Sequence, residues 1–408
     1  MRIDFYKFID KYFGKLFIIL LSSIKFFFKK NDDKNSFLII KLWAVGDSVV
    51  ALPLIRSLRR NFPKSRIVVF ARERNCQVFE MVDFIDEIIL FEPKYVFKLF
   101  LLFRKYDVVF DLEPYLNLSA VISFMVGKFS VGFANQFRSR LYDERVVFDK
   151  NKHMVENYLD FCKAIGVKLL QDDYSLVKLK CFGVEEKHVE SFIASKNVDS
   201  RRMGLIPRCS AAIVECSFLG VKNAPQLAAT RIFYLNKSLV GVCVGTAESA
   251  SKTRVWNDKK WALLCDSLIE KLNAEVIFFG AKKESKYISC IQLMMRNKSI
   301  NSAGELNLKS AVCLISKCDL FISIDTGPMH IASCQGIKTI GLFGPNTPKL
   351  WSPYGNYNVS IYKSVECSPC IQNDKGYMPD CLRKTDKYLC MNLISVSEVF
   401  EAGKRLLK

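Results

Sequence analysis

The run Leu320-Phe321-Ile322-Ser323-Ile324 is apolar and rich in β-branched residues, and it stops at Asp325-Thr326-Gly327-Pro328. Such a run predicts a buried strand, and Pro328 suits the first turn of a helix. Strand, tight turn and helix form the unit from which parallel sheets are built. Free backbone N–H groups and the positive end of a helix dipole face outward at such a junction, where a phosphate or diphosphate is the expected guest. Asp325, at the strand's carboxyl end, can accept hydrogen bonds from ligand hydroxyls. His330 lies near the helix start, where the dipole lowers an imidazole pKa. A capped helix after a core strand explains the same residues more plainly, so the rest of the chain must decide.

The same unit recurs. Strands are predicted over 37–42, 67–70, 87–91, 106–112 and 129–133, with helices over 49–62 and 152–166. A second series has strands over 239–246, 275–280, 320–324 and 338–344, with helices over 256–272 and 308–317. Alternation of this kind predicts two doubly wound, Rossmann-like domains whose facing sheet ends enclose a cleft. The expected division is 35–180 for the first domain, 181–235 for a linker or irregular region, 236–395 for the second domain and 396–408 for a terminal helix.

A chain of 408 residues, half of them hydrophobic, can build two such cores. The net charge of +19 favours an anionic partner. Fifteen cysteines without a signal-peptide cleavage pattern point to a reducing, cytoplasmic compartment. Residues 1–34 mix Phe, Leu and Ile with Lys7, Lys11, Lys15, Lys25, Lys29 and Lys30. Their clean apolar run falls short of the about 20 residues needed to span a bilayer. The segment is expected to lie as an amphipathic helix on an anionic membrane surface, the alternative being a helix packed on the protein itself.

Neither domain carries a dinucleotide glycine fingerprint or a P-loop, which argues against dehydrogenase and NTPase activity. Chemistry is left to loops at strand ends, which bear Asp47, Asp111, Glu113, Thr246, Lys252, Arg254, Glu284 and Asp325. Asp47, after Gly46 at a helix start, is the best general-base candidate, although such a residue is more commonly an N-cap. The loop Ser251 to Arg254 could supply cations to a diphosphate. Cys367, Cys370, Cys381 and Cys390 could bind a structural zinc, with unligated thiols as the alternative.

Gly46-Asp47-Ser48 with Leu52-Pro53, the loop Ser251 to Trp256, Phe279-Gly280 with Glu284, and Asp325-Thr326-Gly327-Pro328-Met329-His330-Ile331-Ala332 together resemble glycosyltransferase family 9, the ADP-heptose:lipopolysaccharide heptosyltransferases. Gly341-Leu342-Phe343-Gly344-Pro345 and Trp351-Ser352-Pro353 extend the resemblance, which spans roughly residues 37–400. It implies a GT-B fold with the acceptor on the first domain and the nucleotide sugar on the second. Asp47 then matches the base that deprotonates the acceptor hydroxyl. Thr326 and Gly327 match backbone contacts to the donor diphosphate, beside His330. Asp325 faces the donor sugar, Glu284 matches a carboxylate on the adenosine ribose, and Thr246 joins the donor site. The family usually has Lys two residues before the Trp and Pro just after it. Here those positions are Arg254 and Asn257, with Lys252 further upstream, so either cation could grip the diphosphate.

The implied reaction is inverting transfer of heptose from ADP-heptose to a lipid-linked, acidic core oligosaccharide at the cytoplasmic face of the inner membrane, with no cofactor required. Arg138 and Arg140 are acceptor-side candidates. A family-9-like transferase using another nucleotide sugar for a surface glycan is the nearest alternative. A basic, zinc-containing nucleic-acid-binding protein or a non-catalytic binding protein is the alternative of another class. No nucleic-acid-binding module is visible, so nucleic acid is not an expected partner.

Overall fold

The computed structural model describes residues 2–28, 33–92, 101–196, 237–245 and 252–408, with the backbone alone for 2–9, 11–13 and 252. Two six-stranded parallel sheets dominate. The first contains β1 (Ser36–Ile40), β2 (Arg66–Ala71), β3 (Glu87–Leu90), β4 (Tyr106–Asp111), β5 (Gly127–Phe133) and β6 (Glu144–Val146). The second contains β7 (Ser238–Cys243), β8 (Ala274–Phe278), β9 (Ile300–Asn301), β10 (Leu320–Ile324), β11 (Lys338–Phe343) and β12 (Val359–Tyr362). The spatial orders are β3-β2-β1-β4-β5-β6 and β12-β11-β10-β7-β8-β9. Each sheet reverses its winding beside its first strand, between β1 and β4 and between β7 and β10. A crevice opens at that point beyond the strand ends.

The two expected domains are therefore present, with doubly wound sheets as predicted. Central strands are buried on both faces: Phe37 to Ile40 in β1 and Leu320 to Ile324 in β10 are almost without exposed surface. That is why they read as continuous apolar runs and not as alternating ones. The edge strands β6, β9 and β12 are only three, two and four residues long and carry no such run. The sequence did not announce them.

Two helix starts differ from expectation. The helix Val45–Asn61 begins four residues early, which puts Asp47 in its first turn. The helix expected over 256–272 starts later, as Asp258–Leu272, because Asn257 accepts hydrogen bonds from the Lys259 and Lys260 N–H groups and caps it. The residue that stands where the family has Pro thus has a local task.

Of the expected linker, residues 197–235 lie outside the described residues. Its start is ordered: the helix Gly183–Ser195 buries Val189, Phe192 and Ile193. His188 Nδ1 lies 3.1 Å from Ser310 Oγ on the helix Leu308–Ile315 of the second domain. Cys181 is joined to Cys313 of that helix, a bond that the reading of a reducing compartment did not anticipate.

The N-terminal residues form the helix Arg2–Ile24. One side packs on the protein, where Ile18 is buried among Ala120, Phe124, Leu141 and Tyr142. The Asp10 carboxylate accepts from the Asn117 and Leu118 N–H groups, at the start of the helix Asn117–Val126. The other side leaves Leu16, Phe17, Ile19 and Leu20 exposed, and Phe26 and Phe27 follow at 94% and 81% exposure. Among the described residues, no helix is long and apolar enough to cross a membrane.

Candidate active site

The crevices of the two sheets face each other and merge into one cleft lined by Asp47, Glu113, Arg254, Glu284, Asp325 to Gly327 and His330. On the first domain, β1 ends at Ile40 beside Asp111 of β4. The chain then turns through Ala44, a non-glycine residue at φ +59°, before entering the helix that carries Asp47. A strained residue held at this turn marks a site whose geometry the surroundings impose. Directly beneath, Lys41 and Glu113 form a buried ion pair at 3.0 Å. The Glu113 carboxylate also accepts from the Leu42 and Trp43 N–H groups at 2.7 and 3.0 Å, which fixes the turn. Burial pushes the half-buried Asp47 carboxyl up to about 6, with Lys41 opposing the rise and Glu113 and Asp325 adding to it. A carboxyl so placed is ionised at neutral pH yet basic enough to take a proton.

On the second domain, β10 delivers Asp325 and Thr326 to the start of the helix Gly327–Cys334. Asp325 is buried and accepts from Asn346 Nδ2 at 2.7 Å. Arg254 donates to the Asp325 carbonyl at 3.1 Å and stands 3.4 Å from its carboxylate. The Thr326 hydroxyl turns inward, 3.0 Å from Ser323 Oγ and 3.7 Å from Cys243 Sγ, so only its backbone is offered to the cleft. His330 is buried, and its Nδ1 has no hydrogen-bond partner among the described residues. Its imidazole is pushed down to about 4 by burial, against the pull of Asp325 and aided by Arg254. Desolvation is thus the first cause, ahead of the helix dipole expected from sequence. Glu284 closes the far end, accepting from the Ala281 N–H at 2.6 Å, with its carboxylate packed against Gly245. Burial raises its carboxyl pKa.

The structure thus brings Asp47, Arg254, Glu284, Asp325, Thr326, Gly327 and His330 to one cleft. Thr246 and the Lys252 side chain lie outside the described residues. Arg138 is a correction: it has no exposed surface and cannot meet an acceptor. Its guanidinium pairs with Asp111 at 3.0 Å and donates to Ser119 Oγ at 2.9 Å and to the Leu116 and Glu113 carbonyls. It holds the cleft wall from behind. Arg140 is exposed and stacks over the Phe137 ring at 4.2 Å. Cys367, Cys370, Cys381 and Cys390 surround one small cavity. The Cys381 sulfur accepts from the Tyr388 N–H at 3.2 Å and Cys390 is turned toward Gly344. Among the described residues no three such side chains are arranged to hold a metal ion.

Sequence reasoning passed over Asn346 and Asn373. The first follows Gly344-Pro345 at the end of β11, a position where a strand-end polar residue could have been flagged. The second sits in a polar, Cys-rich stretch with no distinguishing signal.

The profile of glycosyltransferase family 9 (heptosyltransferase) matches residues 97–379. The lipopolysaccharide core heptosyltransferase OpsX of Haemophilus influenzae is 25% identical over 81% of this chain and 85% of its own length. Among solved structures, a family 9 glycosyltransferase from Veillonella parvula superposes with a TM-score of 0.68 at 20% identity, covering 92% of this chain and 97% of that one. The ADP-heptose lps heptosyltransferase II of E. coli gives a TM-score of 0.64, also at 20% identity, over 91% and 98% of the two chains. With two doubly wound domains around a cleft and the family match covering more than two thirds of its length, the chain belongs to glycosyltransferase family 9, the heptosyltransferase family.

Proposed function

We propose that the protein transfers a heptose from ADP-heptose to a lipid-linked lipopolysaccharide core acceptor, with inversion at the anomeric carbon and Asp47 as the general base. The observation that carries this is the opposition of Asp47 on one domain to the Asp325–Gly327 turn on the other, at a helix start that can take a diphosphate. Support for the substrates comes from the relatives, one named for the lipopolysaccharide core and one for ADP-heptose.

In the reaction, Asp47 takes the proton of the acceptor hydroxyl as that oxygen attacks the anomeric carbon. The bond from that carbon to the diphosphate oxygen breaks, and ADP leaves with the electron pair. The N–H groups at the start of the helix Gly327–Cys334 and the Arg254 guanidinium offset the charge that develops. Asp325, packed beside Arg254, would hold donor-sugar hydroxyls, and Glu284 the adenosine ribose. With these charges supplied by the protein, the chemistry requires no divalent metal. Arg140, exposed beside the cleft residue Phe137, is retained as an acceptor-side contact.

The exposed apolar side of the helix Arg2–Ile24, continued by Phe26 and Phe27, would rest in the headgroup region of an anionic leaflet. Enzyme and lipid-linked acceptor would then meet at the cytoplasmic face of the inner membrane.

The test is binding of ADP-heptose, UDP-sugars and GDP-sugars to the purified full chain, with and without chelator, followed by transfer to a lipid-linked core acceptor. Selective ADP-heptose binding and transfer that survive chelation are expected. Preference for another nucleotide would move the substrate, and Arg254 would be the first residue to re-examine. No binding of any nucleotide sugar would overturn the proposal.

A further inference from the structure

The segment from Ile371 to Met378 leaves the second domain, crosses the cleft and lands on the first. At its base the Cys370 and Ile371 N–H groups donate to the Pro345 carbonyl, each at 3.0 Å, and Gln372 pairs with Tyr377 to close a loop. Its tip is gripped by the other domain. Asn135 Nδ2 donates to the Asp374 carbonyl at 3.2 Å, Gln136 Nε2 donates to the same oxygen, and Lys150 pairs with the Asp374 carboxylate at 3.1 Å. Gly376, at φ +62°, lies against the Tyr115 ring, where a Cβ would not fit.

Between base and tip runs a chain of amides. Asn373 Nδ2 donates to Asn346 Oδ1 at 2.9 Å, and Asn346 Nδ2 donates to Asp325 Oδ2 at 2.7 Å. Asn346 is buried, and its Oδ1 also accepts from the Thr347 N–H at 3.0 Å. The Thr347 N–H, a fixed donor aimed at Oδ1, leaves Asn346 one orientation, because the flipped amide would set N–H against N–H there and its carbonyl oxygen against the Asp325 carboxylate. Its NH2 group must therefore point at Asp325, fixing one carboxylate oxygen and with it the carboxylate plane.

We propose that Asn346 and Asn373 are positioning residues that aim the Asp325 carboxylate at the donor sugar. Anchoring of the crossing segment on Asn135 and Gln136 completes this relay, so the sugar site is finished by contact between the domains. The inference rests on Asp325 facing the donor sugar, as in the function proposed above. A relay of this kind acts on the sugar and leaves the nucleotide alone, which separates it from a merely structural role.

The test uses the full chain as wild type, Asn346→Ala, Asn373→Ala, the double variant, Asn373→Gln and the anchor variant Asn135→Ala/Gln136→Ala. Measured are the Kd for ADP, the Kd for ADP-heptose, and kcat and KM for transfer. Asn346→Ala should lose about tenfold in kcat, the scale of one hydrogen bond to a charged group, and Asn373→Ala, which removes a bond between neutral amides, a smaller factor of about threefold, both with ADP binding unchanged. The double variant should be no worse than Asn346→Ala, since the two act in series. Asn373→Gln, which keeps the amide donor, should recover most of the loss. The anchor variant should show the same sugar-specific loss. Losses that multiply, equal losses of ADP and ADP-heptose affinity, or an anchor effect confined to acceptor KM would overturn the proposal. If Asn346→Ala does not fold, Asn373→Ala on the half-exposed segment carries the test. Failure of the functional proposal itself looks different: the wild type would not transfer. The ratio of nucleotide-sugar to nucleotide affinity, with whichever sugar the wild type binds, would then report on the relay.

Discussion

A Cβ added to Gly46 would stand 2.6 Å from Cδ2 of His330 and 3.2 Å from Cα of Gly327. The helix that carries Asp47 and the helix start that would take the diphosphate therefore meet almost backbone to backbone across the cleft. Only glycine allows that approach. Gly46→Ala is expected to wedge the domains apart. Because catalysis depends on holding two reactants within contact distance, kcat should fall by about a hundredfold. Stability should fall by about 1–3 kcal/mol, the usual cost of overpacking. Steady-state kinetics and a melting curve check both. Unchanged kcat in a folded variant would mean that the two helices need not touch during turnover.

The pH dependence of transfer should report Asp47. Its carboxyl is pushed up to about 6 by burial, so the base form is lost as pH falls through 6 and kcat/KM should drop along that limb, with a plateau above neutrality. Glu113 adds to the rise and Lys41 opposes it. Glu113→Gln keeps an acceptor for the Leu42 and Trp43 N–H groups while removing the charge, and the limb should move to lower pH. A limb that stays in place would mean that another group sets it.

Stability should decline on mild acidification through two buried imidazoles. His153 accepts from the Val155 N–H at Nδ1, and its Nε2 donates to the Ser352 carbonyl at 2.9 Å, a contact between domains that requires the neutral ring. Burial pushes His153 down to about 3 and His330 to about 4. Unfolded histidine titrates near about 6.5, so between that value and the folded ones the unfolded chain binds more protons and stability falls with falling pH. Asp47 works in the opposite sense below about 6, as do Asp10, Asp111 and Glu284, whose carboxyl pKa values burial also raises. The imidazole contribution is therefore read by difference. His153→Gln, which removes one of the two imidazoles, should lose less melting temperature between pH 7 and 5 than the wild type. The same pH dependence in both proteins would contradict the assignment.

The exposed apolar side of the N-terminal helix should carry membrane contact. Phe26→Ser/Phe27→Ser leaves the packed side, with Ile18 and Asp10, untouched. Co-sedimentation with vesicles containing phosphatidylglycerol should fall by about tenfold or more, given the apolar area removed, while activity on a detergent-dispersed acceptor stays unchanged. Equal vesicle binding by wild type and variant would remove the helix from membrane contact.

Much of this fold was legible in the sequence for one physical reason. Strands buried on both faces, such as Phe37 to Ile40 and Leu320 to Ile324, must be continuously apolar, and the polar residue that ends each run marks the sheet's carboxyl edge. Asp325 was picked out as a candidate that way, and Asp47 by its place after Gly46 at the start of the next helix. Short edge strands such as Ile300–Asn301 bury too little to leave a pattern. Arg138 was misread because a cation in sequence looks the same whether it meets solvent or is enclosed by Asp111 and two carbonyls. Asn346 and Asn373 were missed because their importance lies in a contact between distant segments, 27 residues apart, which no local spacing encodes.

The most direct test of the account is Asp47→Asn. The amide is isosteric, so ADP-heptose should bind with nearly wild-type affinity in a calorimetric titration. It cannot accept the acceptor's proton, so single-turnover transfer should fall by about 10²–10⁴-fold, the range contributed by a positioned base. Transfer at the wild-type rate, with the donor still bound, would contradict Asp47 as the base and with it the proposed mechanism.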